Sequence, residues 1–286
     1  MDVEFSILVV CLNPGDKLKK TLLSIREQTY QNYEIIVKDG CSTDGSVDFV
    51  KEELRISAEE IRKTDGLPSI KLVEKKDSGI YDAMNQAVLE SKGRYLYFLN
   101  CGDVFYHKNV LADIHKLIGE NNSETGIYYG NIYERRTGQM VASNPRMDAF
   151  GCYRNVPCHQ ACFYDRKLLL AHPFETKYRV RADYEQFLWC FFTEEIQGGV
   201  SFVYGDIPVV DYEGGGFSET RINKKVSASE HKEIVRKYMP PGRIWKYRIL
   251  MLLTLAPLRT WIAGNSVTSG IYNRLKKIYY GKGVKS

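Results

Sequence analysis

Four apolar runs in the early part of the chain, each stopped by a small polar turn, constrain the fold more than any other feature. Phe5 to Leu12 is the first, broken by Asn13, Pro14 and Gly15, after which Leu18, Leu22, Leu23 and Ile25 recur at helical spacing. Tyr33 to Val37 is the second, with a helix around Val47 to Leu54 behind it. Ile70 to Glu74 is the third, and Ile80, Ala83, Met84, Ala87 and Val88 then share one helical face. Tyr95 to Leu99 is the fourth, closed by Asn100-Cys101-Gly102-Asp103. Short runs without alternation suit strands covered on both faces. Their β-α-β-α order implies an α/β fold whose sheet is mixed but mostly parallel, flanked by helices and joined by right-handed crossovers.

In such a sheet, ligands sit beyond the carboxyl ends of the strands. That edge singles out Asp39 and Asp103, each directly after a strand, where a carboxylate can reach a base N–H, a ribose hydroxyl or a metal ion. Asn, Gly and Asp are also ordinary turn residues, so neither position speaks alone. Asp44 or Thr43 is expected to cap the helix at Val47, and Asp77 or Ser78 the one at Ile80. Asp82 and Asn85 lie near the start of the latter, and a helix amino end is a natural meeting point for diphosphate or ribose.

The second half carries a helix through Leu111, Ile114, Leu117 and Ile118, then a strand from Ile127 to Tyr133 with Val141 to Met147 expected to pair with it. Lys167 to Leu170 opens another helix, and residues 200–204 and 208–212 read as two short strands. Gly214, Gly215 and Gly216 then form a hinge-like loop. The net charge of +5 comes without a long block of like charge, which gives nucleic acid little to bind. Asp2 and Glu4 follow Met1 where a signal peptide would be basic and then apolar, so a cytoplasmic location is expected. Seven cysteines are an odd, irregularly spaced set that fits reduced thiols. Cys158, His159 and Cys162, with Cys152 nearby, lack the second close pair that a structural zinc site wants.

Four blocks in order resemble the family 2 glycosyltransferases of GT-A fold, the kind that build bacterial polysaccharides. They are Phe5 to Asn13, the Tyr33 to Ser46 strand and turn, Asp77 to Asn85, and Gly93 to Asp103. The resemblance implies inverting transfer of a sugar from a nucleotide diphosphate sugar, UDP by family frequency, to a glycan hydroxyl. It implies a lipid-linked acceptor and a part in O-antigen, capsule or exopolysaccharide synthesis. By position, Asp39 would contact the nucleobase, although Lys38 stands where the family has the first Asp of a pair. Asp82, Asn85, Asn100 and Asp103 would line the nucleotide-sugar site. Asn100 and Gly102 depart from the usual Asp-x-Asp-Asp, leaving Asp103 as the motif's acid and the ligand for Mg²⁺ or Mn²⁺.

The segment Val156 to Tyr164 resembles the family's His-Gln block, which puts His159 and Gln160 beside the diphosphate or acceptor. Asp183 matches the Asp of the family's Glu-Asp pair, with Ala182 in the Glu position, and would be the base that removes the acceptor proton. A plain helix cap is the bland alternative for Asp183, and Glu185 is the reserve base. Ser218, Arg221 or Lys224 would touch phosphate beside the glycine loop. The expected division is a GT-A domain over 1–225 and a helical segment over 226–286, whose stretch 241–263 mixes Trp and basic residues as peripheral membrane helices do. The expected place is the inner face of the cell membrane, with room for a homodimer. A catalytically inactive nucleotide-sugar-binding scaffold subunit is the alternative. A nucleotidyltransferase would want a Gly-rich basic loop after the first strand, which 13–16 does not supply.

Overall fold

A computed structural model describes residues 2–52, 68–121, 123–214 and 220–253. Nine strands form one sheet: β1 (Phe5–Cys11), β2 (Tyr33–Asp39), β3 (Ser69–Glu74), β4 (Tyr95–Phe98), β5 (Val104–Phe105), β6 (Gly126–Glu134), β7 (Gln139–Val141), β8 (Cys162–Asp165) and β9 (Ser201–Tyr212). Their order across the sheet is β3-β2-β1-β4-β8-β6-β9-β5, with β7 paired to β6. The helices are α1 (Lys17–Arg26), α2 (Ile80–Glu90), α3 (Val110–Asn121), α4 (Ala149–Arg154), α5 (Arg166–Ala171), α6 (Ala182–Phe192), α7 (Arg221–Tyr238) and α8 (Pro241–Leu253). A further helix begins at Asp48. The sheet is a mixed α/β sheet flanked by helices, as the alternation of runs implied.

The four early strands are mutually parallel, so Cys11, Asp39, Glu74 and Phe98 end at one edge. Strand β8 then runs antiparallel to β4, pairing Tyr97 with Phe163 and Tyr95 with Asp165. An antiparallel neighbour begins where its partner ends, so the short 3₁₀ turn His159–Ala161 ahead of β8 arrives at that same edge. Strand β9 likewise runs antiparallel to β5, pairing Val104 with Asp211, so its last residues arrive beside Asp103.

Burial follows from this order. Tyr97 stacks between Phe105 and Phe163, with ring centroids at 5.1 and 4.4 Å, and its hydroxyl donates to the Gln160 carbonyl at 2.8 Å. Leu18, Leu22 and Ile25 of α1 pack with β1, β2 and β4 residues in one apolar core. At the opposite edge, the buried Glu34 carboxylate accepts from Ser6 Oγ at 2.6 Å and from the N–H of Lys92 and Gly93.

Two strand expectations need correction. The segment pairing with β6 is Gln139–Val141 and not Val141 to Met147, since the hairpin closes early and Tyr133 meets Met140. Residues 200–204 and 208–212 are one strand, because a register shift at Asn131 lets the chain pass Gly205 and Asp206 without leaving β6. The chain divides into two compact units, Met1–Ile234 and Val235–Ser286, and the division falls inside α7. Part of the expected helix at 47–54, most of the glycine loop and all of 254–263 lie outside the described residues.

Gly93 carries a sharp steric test of this packing. A Cβ there would sit 2.5 Å from the Ser6 amide nitrogen and 2.7 Å from the Phe5 carbonyl carbon, both backbone atoms that cannot swing away. Gly119, on α3, has nothing within 4 Å. Gly93→Ala is expected to cost about 1–3 kcal/mol or more by overpacking. Gly119→Ala is expected to be neutral or to stabilise by up to about 1 kcal/mol through helix propensity. Urea unfolding of the two variants checks the contrast.

Candidate active site

The turns after the parallel strands are tied to one another before any ligand is considered. Asn13 N–H donates to Ser42 Oγ at 2.7 Å, Thr43 N–H to Asn13 Oδ1 at 2.8 Å, and Gly15 N–H to Asp44 Oδ2 at 3.0 Å. The turns after β1 and β2 therefore clasp each other. Asp44 accepts from Ser46 N–H at 3.0 Å rather than from the helix at Asp48, so it steadies the turn. Beneath them the wholly buried Lys38 ammonium donates to Asp39 O at 3.2 Å, Lys75 O at 2.7 Å and Asp77 Oδ2 at 2.8 Å. The residue that departs from the family's acidic pair thus bolts the β3–α2 turn to the β2 turn.

Asp39 ends β2 fully buried, and its oxygens accept from Ser42 N–H at 2.8 Å, Ser42 Oγ at 2.5 Å and the Cys11 thiol at 3.6 Å. The neighbouring thiol of Cys101, in the turn that holds Asp103, pushes the free Cys11 thiol far up together with burial.

Asp103 is 3% exposed. Its Oδ1 accepts from Glu213 N–H at 2.8 Å and its Oδ2 from Gln160 Nε2 at 3.2 Å. Burial pushes its carboxyl above the usual range, against the pull of the Glu213 N–H and the Gln160 amide. A carboxyl whose folded value is raised stabilises the fold at low pH and loses that contribution as pH rises through the raised value. A cation beside it would relieve the cost of ionisation. Asn100 Oδ1 is buried and makes no hydrogen bond, so the same turn offers an unused hard oxygen. One carboxylate and one amide oxygen fit a divalent ion that takes its remaining ligands from phosphate and water.

Asp183 does not cap its helix. Arg181 takes the cap position of α6 without a side-chain bond, and the buried Glu230 carboxylate accepts from the N–H of Arg179, Val180 and Arg181 at 2.7 to 3.0 Å. Asp183 is thereby left free to face His159, whose Nδ1 lies 3.1 Å from Oδ2, and Tyr81, whose hydroxyl lies 2.9 Å from Oδ1. The Tyr81 hydroxyl also reaches Val180 O at 2.8 Å. Asn100 Nδ2 lies 3.4 Å from His159 Nε2. An amide nitrogen only donates, so Nε2 accepts and the ring proton sits on Nδ1, facing Asp183. Burial alone would push the Asp183 carboxyl up, but the His159 ring and the Tyr81 hydroxyl outweigh it and hold it below the usual carboxylate range. Burial and the Asp183 charge push the Tyr81 phenol well up, so it stays a donor.

The Asp103 N–H donates to Asn100 O at 3.0 Å, so the edge joins Gln160, Asp103, Asn100, His159 and Asp183, in that order, in one run of hydrogen bonds. Other expected residues go elsewhere. Asn85 spends both ends of its amide on the Phe174 backbone, at 2.9 Å each way, because the chain before α6 packs across α2. Asp82 turns back to Ser78 N–H at 2.8 Å, which holds its carboxyl below the usual range, while Gly79 occupies the cap that Asp77 or Ser78 was expected to fill. Glu185, the reserve base, is fully buried against His172 at 3.0 Å. The Cys158 thiol donates to Gln160 Oε1 at 2.7 Å and the Cys162 thiol to Cys158 O at 3.2 Å. Lys224 is exposed on α7; Ser218 and the Arg221 side chain lie outside the described residues. Sequence reading missed Tyr81, Glu230 and Glu213. Glu213 alone left a signal, as an acid between a strand and three glycines.

Comparison with known proteins gives this edge a context. The Glycosyl transferase family 2 profile matches residues 6–169. A PGL/p-HBAD biosynthesis glycosyltransferase of Mycobacterium tuberculosis is 32% identical over 223 residues, covering 77% of this chain and 81% of that protein. Among solved structures, the mannosyltransferase PcManGT from Pyrobaculum calidifontis in complex with GDP-Man and Mn²⁺ has a TM-score of 0.62 at 17% identity, covering 97% of this chain and 81% of that one. Staphylococcus aureus TarS in complex with UDP-GlcNAc has a TM-score of 0.54 at 16% identity, covering 94% of this chain and 69% of that one.

Removing one partner of a buried ion pair leaves the other charge uncompensated. Lys38→Met is therefore expected to destabilise the fold by about 3–5 kcal/mol, and adding Asp77→Asn to recover part of that loss. Urea unfolding of the single and double variants measures both.

Proposed function

The chain belongs to glycosyl transferase family 2, and on that premise we propose that it is an inverting enzyme in which Asp183 is the base for the acceptor hydroxyl. The observation that carries this reading is the Asn100–His159–Asp183 run, which ties the proton acceptor to the turn that holds Asp103. Asp183 takes the proton of the acceptor hydroxyl as that hydroxyl's oxygen attacks the anomeric carbon; the bond from that carbon to the diphosphate breaks, and the nucleoside diphosphate leaves with the electron pair. His159 keeps the carboxylate ionised and aimed, and Tyr81 holds its other oxygen. Asp39 and the clasped turns around it take the nucleobase. Asp103 and Asn100 would hold Mg²⁺ or Mn²⁺, which would neutralise charge on the leaving diphosphate.

We infer a UDP-sugar donor and a lipid-linked glycan acceptor in cell-surface polysaccharide synthesis. Named relatives in glycan synthesis and a fold neighbour bound to UDP-GlcNAc support that reading. Helix α8 supports peripheral membrane contact: Trp245, Ile249, Leu252 and Leu253 are exposed at helical spacing on one stripe, with the exposed Lys246 and Arg248 on its two flanks. Among the described residues no helix is long and apolar enough to cross a membrane.

Asp183→Asn is expected to lower turnover by about 10²–10⁴-fold, the usual worth of a general base. UDP affinity should change by less than about twofold, since the substitution keeps the side chain's shape and leaves the Asp103 turn alone. UDP release and calorimetric titration of UDP read the two quantities, and unchanged turnover would falsify the assignment. Because Asp183 is held below the ordinary carboxylate range, it should contribute no acid limb to kcat above pH of roughly 5. His159→Ala or Tyr81→Phe should move any such limb upward.

A further inference from the structure

Within the donor turn, the charge does not match the task. The Asn100–Asp103 turn brings one carboxylate to a site that must hold a divalent cation against a diphosphate. A second acid reaches this turn from the end of β9. Glu213 Oε2 lies 2.6 Å from the point where a Cβ on Gly102 would stand, and Gly102 has φ +99, so the absence of a side chain there leaves room for the Glu213 carboxylate. The Glu213 N–H donates to Asp103 Oδ1 at 2.8 Å, fixing the two acids relative to each other. Register alone delivers it: Val104 opposes Asp211, so the chain reaches the Asp103 level as β9 ends at Tyr212. Gly214 follows with φ +79, turning the chain directly after the acid.

Lys17, the first residue of α1, covers this carboxylate with Nζ 2.6 Å from Glu213 Oε2. Both partners are about half exposed, at 55% and 40%, so the pair is weakly held and exchangeable. An ammonium on a flexible stem is the kind of group a divalent ion displaces. The unpartnered Asn100 Oδ1 supplies a neutral oxygen on the same turn.

We propose that Glu213 is the second carboxylate of the donor cation site, reaching from β9 to supply the charge that position 100 lacks, with Lys17 as its counter-ion until the cation arrives. The inference rests on the metal reading of Asp103 given above. Its ligand class is a hard divalent cation held with a nucleoside diphosphate.

The test is Mn²⁺ titration of the full chain followed by electron paramagnetic resonance at saturating UDP, for wild type, Glu213→Gln, Asp103→Asn and Lys17→Met. Glu213→Gln should weaken Mn²⁺ binding by at least about tenfold, as loss of even an outer-shell partner does. The substitution leaves the backbone bond to Asp103 in place, and UDP binding in EDTA should be unchanged. Lys17→Met should leave Mn²⁺ binding as tight as wild type or tighter, because an opposing positive charge is gone. An ion pair that only props the fold would instead make the two variants fall together. Wild-type Mn²⁺ affinity in Glu213→Gln, or an equal loss in Lys17→Met, overturns the inference. If wild type with UDP takes up no Mn²⁺, the metal reading itself fails and the inference with it, and the wild-type trace alone distinguishes that case.

Discussion

Arrival of two later strands at one sheet edge is the constraint on which the site depends. A parallel sheet presents strand ends at one edge, and here that edge offers Asp39, the Lys38-bolted β3 turn and the Asn100–Asp103 turn. Parallel strands alone would carry their beginnings away to the far edge. Strand β8 opposes β4, so its start arrives where the parallel strands stop, while β9, parallel to β6 and through it to β4, ends at that same edge beside the start of β5; together they bring His159, Gln160 and Glu213 against the 100–103 turn. Slipping β8 by one residue would turn Phe163 off Tyr97 and put the His159 turn out of reach of Asn100.

Energetically the edge runs against ordinary folding preference. Lys38, Asp39, Asp103, Glu185 and Glu230 are all buried, and a buried charge is tolerated only when paired and hydrogen-bonded. Most are satisfied within the chain: Lys38 by three acceptors, Glu230 by three backbone donors, Glu185 by His172. Asp103 differs, since burial still pushes its carboxyl up after two donors have pulled it down. Asn100 Oδ1 has no donor at all. These deficits lie in the same turn, which is where a cation would remove both. Asp183 is the reverse case, held ionised without outside help by His159 and Tyr81, so its stabilising share persists at neutral pH and is lost as pH falls below the ordinary carboxylate range.

Half of this architecture was legible in sequence, and the division has a physical cause. Unbroken runs such as Phe5 to Cys11 and Tyr95 to Phe98 report burial on both faces, and their turns report the ligand edge, because both signals are local. Pairings between strands distant in sequence have no local signal. That is why 200–204 and 208–212 looked like separate strands, and why nothing marked Glu213 as a neighbour of Asp103. Side-chain commitments were equally hidden. Asn85 has the right position at the head of a helix, yet its amide goes to Phe174, a contact made 89 residues away in sequence. Lys38 looked like a loss of charge from a motif, whereas its role is to hold three acceptors in place.

Asn100 is where these constraints meet. An aspartate there would set a second negative charge beside His159 Nε2 and draw a proton onto it, leaving the imidazole charged between two carboxylates. The amide donates to Nε2 instead, which fixes the ring with its Nδ1–H toward Asp183. An acidic ligand is thereby exchanged for a link between the leaving-group turn and the base. Such an exchange is tolerable only if the missing charge is restored nearby without touching the ring. Glu213 meets that condition, since it approaches over Gly102, on the side held by Lys17, and meets the turn through Asp103 rather than through His159.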